Sequence, residues 1–341
     1  MSPPPPPSTE GETLPMAVRE QRVSGANASV SAMWTAARQA SACEDWVRAA
    51  ELWNELIYLE GEGNSEPFLE TGRALLAQGQ REEAISLLRL GLNYHEGCPD
   101  LLEARGILLV RAGYLRAAEQ HFERATRSDA ERPSSWFWLG RTRLALDLPR
   151  RALQPLRSAL ALDSSDCETH YLLARALRAT GVHAEAARHY QHALPEDAEC
   201  AVERLVEAAS LYAQHPELFE SDPGALTRSW SWLDECVERS PQHAMGHFVR
   251  GLLHERAGQP DQALEAYRRA VEVDNFHLEA TTNLALLHHA RGEVDRAAEL
   301  AQRALALESD PTRQAALRAH FLEGTGEPIQ RSDGGGVASL R

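Results

Sequence analysis

The chain has no lysine, so all 35 of its basic side chains are arginine. A GC-rich genome, which favours arginine codons, accounts for that skew without selecting any one arginine. Without lysine there is no GxxxxGK[ST] phosphate loop, and no GxSxG elbow or strand-to-helix GxGxxG is present either. The Gly334-Gly335-Gly336 run follows no strand and opens no helix, so it reads as a linker. Paired cysteines are missing too: Cys43, Cys98, Cys167, Cys200 and Cys236 stand far apart and form no CxxC. Free thiols in a reducing compartment are expected. The start, with Pro3 to Pro7, lacks the basic and apolar regions of a secretion leader, and no run approaches the ~18 apolar residues of a membrane span. A cytoplasmic location is expected. Positive charge is in deficit, with 50 acidic side chains and a net charge of −15. That balance points away from nucleic acid and anionic membranes, whose phosphates need a positive footprint. Strand-forming runs are scarce, and aromatics make up only 6%. Alanine and leucine dominate instead, which favours helix.

What the chain does have is a repeat. Steps of 34 residues from Pro133 keep returning small residues to the same places. The eighth place holds Gly72, Gly106, Gly140, Ala174, Ala208, Gly251 and Ala285. The twentieth holds Ala84, Ala118, Ala152, Ala186, Ala263 and Ala297, with Ser229 in an interrupted copy. The twenty-seventh holds Gly91, Ala125, Ala159, Ala193, Cys236, Ala270 and Ala304. Small columns at these intervals let two antiparallel helices cross closely, and let each pair pack on the next. Glycine fifteenth (Gly79, Gly113, Gly181, Gly258, Gly292) fits a left-handed turn just past a first helix.

The run Trp136-x-x-Leu139-Gly140, followed by Ala152, Leu156 and Ala159, resembles the tetratricopeptide (TPR) signature. It departs at Arg143, where that family prefers tyrosine, and few copies end in proline. The resemblance covers about four-fifths of the chain. It implies an all-α, TPR-type α-α solenoid, a right-handed superhelix of helix-turn-helix repeats. The frames are 30–64, 65–98, 99–132, 133–166, 167–200, 201–243, 244–277 and 278–311. The sixth is nine residues too long, with its insertion near 214–224. Residues 1–29 and 324–341 are expected to be disordered tails and 312–323 a capping helix. The insertion carries Leu218 and Phe219, which are expected to be exposed; removing residues 216–223 is then expected to leave melting nearly unchanged.

No residue set supports catalysis, so the chain is not expected to be an enzyme or to hold a cofactor. His243 and His247 have the spacing of a zinc-protease helix but lack the glutamate after the first histidine. Packed roles are expected for His254 and His288, surface ones for His183, His189 and His192, and metal sites for none.

The resemblance further implies a protein–protein interaction scaffold or adaptor. Its concave groove is lined by the second, fifth, ninth and twelfth places of the first helices. Those places supply Trp34, Arg38, Arg73, Phe137, Arg141, Tyr171, Arg175, Arg178 and Phe248 as candidate partner-binding residues. Arginine beside an aromatic ring suits a protein or peptide segment that is both acidic and hydrophobic. Phe137, Arg141, Tyr171, Arg175 and Arg178 are expected to form one contiguous positive surface. The alternative is a structural or regulatory subunit that docks through its convex face or its inserted loop. Neither reading fixes the oligomeric state.

Overall fold

The computed structural model describes residues 16–60, 63–194 and 201–323. Among these residues there are eighteen α-helices, a terminal π-helical turn and no strand. The chain divides into two compact units, residues 1–147 and 148–341. The division falls inside the fourth frame.

The first unit contains α1 (Met16–Ala42), α2 (Trp46–Glu60), α3 (Glu66–Ala77), α4 (Arg81–Tyr94), α5 (Pro99–Arg111), α6 (Leu115–Ser128) and α7 (Pro133–Ala145). Helix α1 begins inside the stretch expected to be a tail. No proline interrupts it, and Met16–Val23 is rich in residues that favour helix. Residues 1–15 and 324–341 lie outside the described residues.

The second unit contains α8 (Pro149–Leu162), α9 (Cys167–Ala179), α10 (His183–Ala193), α11 (Val202–Gln214), α12 (Glu217–Ser221), α13 (Ala225–Arg239), α14 (Ala244–Arg256), α15 (Pro260–Val273), α16 (Leu278–Ala290), α17 (Val294–Leu307) and α18 (Pro311–Arg318). A π-helical turn, Ala319–Glu323, follows.

Local chemistry sets where these helices start. Proline opens α5, α7, α8, α15 and α18, where its missing N–H is not needed. Asp166 caps α9 by accepting from the backbone N–H groups of Glu168 and Thr169. His243 and His277 cap α14 and α16 through a ring nitrogen that accepts a backbone N–H.

The fifteenth place turns the chain back between paired helices. Gly79, Gly113, Gly181, Gly258 and Gly292 have φ between 69° and 83°, and the non-glycine copies Glu44 and Asp147 take φ 57°. The long sixth copy breaks this rule, with His215 at φ −121°. There the chain forms α12 before α13 begins.

The small columns do the packing. Every alanine of the twentieth column is at most 1% exposed, and Ser229 is fully buried. The eighth-place glycines Gly72, Gly106 and Gly251 meet the large twenty-fourth-place side chains of Leu88, Phe122 and Tyr267. A Cβ on Gly106 would come within 2.7 Å of the Phe122 ring, and one on Gly251 would overlap Tyr267. Arg143, where the resemblance implies tyrosine, reaches instead to α6. Its Nε donates to Glu119 Oε1 at 2.9 Å and its Nη2 to Glu123 Oε1 at 2.6 Å.

The insertion packs rather than projects. Leu218 is 4% exposed, and the half-buried Phe219 stacks on Tyr212 at 5.9 Å. Asp222 accepts from Arg228, from Gln191 Nε2 at 2.5 Å and from the Gly224 N–H at 3.1 Å. Burial pushes the Asp222 carboxyl up, but Arg228, Gly224 and Gln191 together hold it below its ordinary value. The expectation of an exposed Leu218 is therefore corrected. A five-residue helix can bury one apolar face against α10 and α13.

Candidate functional site

In the first unit, three of the candidate arginines have ring or carboxylate neighbours of quite different kinds. Trp34 meets Trp53 edge-on at 5.1 Å and donates its indole N–H to Glu60 at 2.9 Å. Arg38 lies over the Trp34 ring at 5.1 Å and makes a two-pronged pair with Glu66, at 2.9 and 3.1 Å from Nη2. Arg73 pairs with Glu70 of its own helix at 2.6 Å. Both guanidiniums are exposed, but each is already matched by a carboxylate.

Helix α7 is different. Trp138 stacks on the core ring Phe122 at 6.0 Å, and half-buried Phe137 packs edge-on against Trp138 at 5.4 Å. The exposed Arg141, one turn further on, sits over the Trp138 ring at 4.9 Å. Among the described residues Arg141 has no carboxylate partner. A guanidinium held by a ring face keeps its donors free for an incoming carboxylate. Trp138 was not among the sequence candidates, although its place directly after Phe137 was visible.

In the second unit the candidates are absorbed into one network. The Tyr171 hydroxyl donates to Glu207 Oε2 at 2.9 Å, and Arg175 Nε pairs with the same carboxylate oxygen at 3.6 Å. Arg178 donates to the Glu207 carbonyl at 3.2 Å and to Gln214 Oε1 at 3.1 Å. Arg204 covers the Tyr171 ring at 4.5 Å while pairing with Glu168. Burial, then the Glu207 charge, raises the Tyr171 phenol well above its usual value. Arg175 and Arg204 thus pair with Glu207 and Glu168, while Arg178 donates to the neutral Glu207 carbonyl and Gln214 amide, so the expected positive surface is neutralised only in part within this unit. Sequence reading missed Glu207 because it occupies a seventh place, which Leu139, Leu173 and Leu284 fill in other copies.

Phe248 is corrected outright. It is fully buried, with Tyr267 at 5.7 Å and His277 at 4.9 Å from its ring. It is core, and no partner can reach it.

The histidines gather more than expected. His170 and His189 share a hydrogen bond between their Nδ1 atoms at 2.9 Å, and His192 stacks on His170 at 5.0 Å. Burial and the His170 charge push His189 down to about 4. His288 is packed as expected, with its Nδ1 2.9 Å from Glu293. Among the described residues no group of three or more side chains is arranged to hold a metal ion.

The profile of the tetratricopeptide repeat family matches residues 103–166 and 233–313. A second profile of the same description matches residues 169–202. The chain belongs to the tetratricopeptide repeat family. Solved TPR-like structures agree on the fold. One is the APC/C hetero-tetramer Cut9–Hcn1: TM-score 0.51, 12% identity, covering 81% of this chain and 52% of that one. Another is Pseudomonas aeruginosa pilF: TM-score 0.50, 16% identity, covering 62% of this chain and 92% of that one. A TPR protein from Parabacteroides merdae aligns over 76% of this chain and 98% of its own, at 17% identity and TM-score 0.49. No curated protein matches the chain. The family match, with the two structures at TM-score 0.50 and 0.51, establishes an all-α solenoid of TPR type, a family of protein-interaction scaffolds. No described helix is long and apolar enough to cross a membrane.

Proposed function

We propose that the chain is an adaptor without catalytic activity, whose first unit takes a partner segment on the first-helix face around Phe137, Trp138 and Arg141. The observation that carries this reading is the state of Arg141. It is exposed, held over an indole, and unmatched by any carboxylate among the described residues. Its charge is available, while those of Arg38, Arg73 and Arg175 are met internally. The complementary segment carries an acidic residue beside a large apolar one, the carboxylate on Arg141 and the apolar side chain against Phe137. Tyr171 and Arg175 contribute less in this reading, since the Glu207 carboxylate already holds them, and half-buried Arg178 is tied to the Glu207 carbonyl and Gln214.

Peptide display against the intact chain tests it. Enriched peptides should combine Asp or Glu with Leu or Phe. Arg141→Glu should weaken them about tenfold or more, because one attraction becomes a repulsion. Their binding to the parent should also fall with added salt, as exposed charges are screened over ~8–10 Å. Enriched peptides that are uncharged, or that bind Arg141→Glu as well as the parent, overturn the assignment.

A further inference from the structure

The seventh place of the frame is a buried leucine in three copies, Leu139, Leu173 and Leu284, each at most 4% exposed, and holds Glu207 and Arg250 in two others. In the third copy it holds Arg105. A guanidinium at a leucine site loses water, and nothing in the packing of the repeat requires it. Its surroundings are unusual in a chain this acidic. Arg105 Nη1 lies 2.8 Å from His121 Nε2. Burial first, then repulsion from Arg89 of α4 and Arg124 of α6, lowers the Arg105 pKa. Burial and the charges of Arg105 and Arg124 push His121 down to about 4, so its ring is neutral at pH 7.

The hydrogen-bond directions follow from that. Arginine has only donors, so His121 Nε2 must accept, and the single ring proton sits on Nδ1. His121 Nδ1 and Arg105 Nε are both buried, and neither has a hydrogen-bond partner. Both are N–H donors on side chains that hydrogen-bond to each other. Buried donors without acceptors are rare in native proteins and call for an explanation. Arg124 donates to the Glu96 carbonyl at 2.8 Å and lies 3.8 Å from the Glu96 carboxylate, which is 88% exposed, while Arg105 has no carboxylate partner among the described residues. Arg89 is exposed and, among the described residues, has no ion pair.

We propose that Arg89, Arg105 and Arg124, with His121, form a binding site for a phosphate-type oxyanion where α4, α5 and α6 bring them together. Three guanidiniums match a doubly charged oxyanion better than a single carboxylate, and planar guanidinium forks suit its oxygens. The site is separate from the Arg141 surface and does not depend on it.

Calorimetric titration of the full chain at pH 7, with chloride controls at equal ionic strength, tests the assignment. One arm uses inorganic phosphate and the other a short phosphoserine peptide with uncharged flanks. Saturable binding of either probe at one site per chain is expected. A tighter peptide indicates that the phosphate arrives on a protein, and tighter inorganic phosphate indicates a free anion. Arg105→Leu, which restores the residue found in other copies, should keep the helical spectrum and weaken binding about tenfold or more. Arg89→Glu should weaken it as well, whereas Arg141→Glu should not. Phosphate should also shift the His121 imidazole resonances in the parent. The proposal is overturned if neither probe exceeds chloride, or if Arg105→Leu binds like the parent.

Discussion

In residues 1–147 the fifth and ninth places of the first helices stay open. Trp34, Leu69 and Phe137 are half-buried, and Arg38, Arg73 and Arg141 are exposed. In residues 148–341 the same places of α11, α14 and α16 close. Leu205, Ala209, Phe248, Leu252, Thr282 and Leu286 are all at most 8% exposed. The register is the same in both units, so the difference comes from what packs on the helix. Tyr267 and His277 cover Phe248. Leu317 and Phe321, from the end of the chain, join the cluster that buries Leu286. A repeat frame therefore says where a side chain leaves its helix; its neighbours decide whether solvent or a partner can reach it.

The most direct way to break this comparison is to truncate one ring in each unit. Phe248→Ala should cost about 3–5 kcal/mol in urea unfolding, the usual loss for a buried phenylalanine. Phe137→Ala should cost about 1 kcal/mol or less, as expected for a side chain outside the core. Equal losses would mean that the fifth place is core in both units. Within the second unit, Leu218→Ala should lower stability by about 2–4 kcal/mol, because α12 is packed. If the melting curve of that variant matches the parent, the insertion is the loose loop its sequence suggests. Ala118→Leu should overpack the α5–α6 crossing and cost about 1–3 kcal/mol, measured the same way. No loss there would mean that the twentieth column does not mark close crossings.

A further effect is with pH. His121 in the first unit and His189 in the second are each pushed down to about 4 by burial and neighbouring positive charge. An unfolded histidine takes up its proton near pH 6.5. The unfolded state therefore binds more protons between those values. The contribution is complete above about pH 6.5 and declines as pH falls towards about 4. Urea midpoints should drop over that window, and His189→Asn should remove part of the drop. A midpoint unchanged from pH 7 to 4.5 would show that neither ring is held neutral.

Much of the fold was legible from the sequence because close packing acts on residue size. Only glycine, alanine and the like fit where helices cross, so Ala84, Ala118 and Ala152 mark crossings wherever the chain goes. The turn glycines are legible for a related reason, since φ near +80° penalises a Cβ. The start of α1 was less so, because no column extends upstream of the first frame. The site was legible only in part. Arg141 and Phe137 could be placed on one helix by counting, but no count reveals that Glu207 neutralises Arg175 or that Arg105 leans on His121.

The sequence by itself determined the helix pairs, their 34-residue step, and the glycines and alanines that permit them. These follow from sterics within a turn or two of chain, which the local sequence fully specifies. Tertiary structure decided which first-helix side chains are reachable, which arginines are already paired, and that the inserted segment packs as a helix. Many of those outcomes depend on residues in the next helix pair, as for Arg38 with Glu66, Tyr171 with Glu207 and Gln191 with Asp222, brought together only when helix pairs stack. Burial and charge pairing depend on such neighbours in space, and a repeat pattern in sequence does not record them.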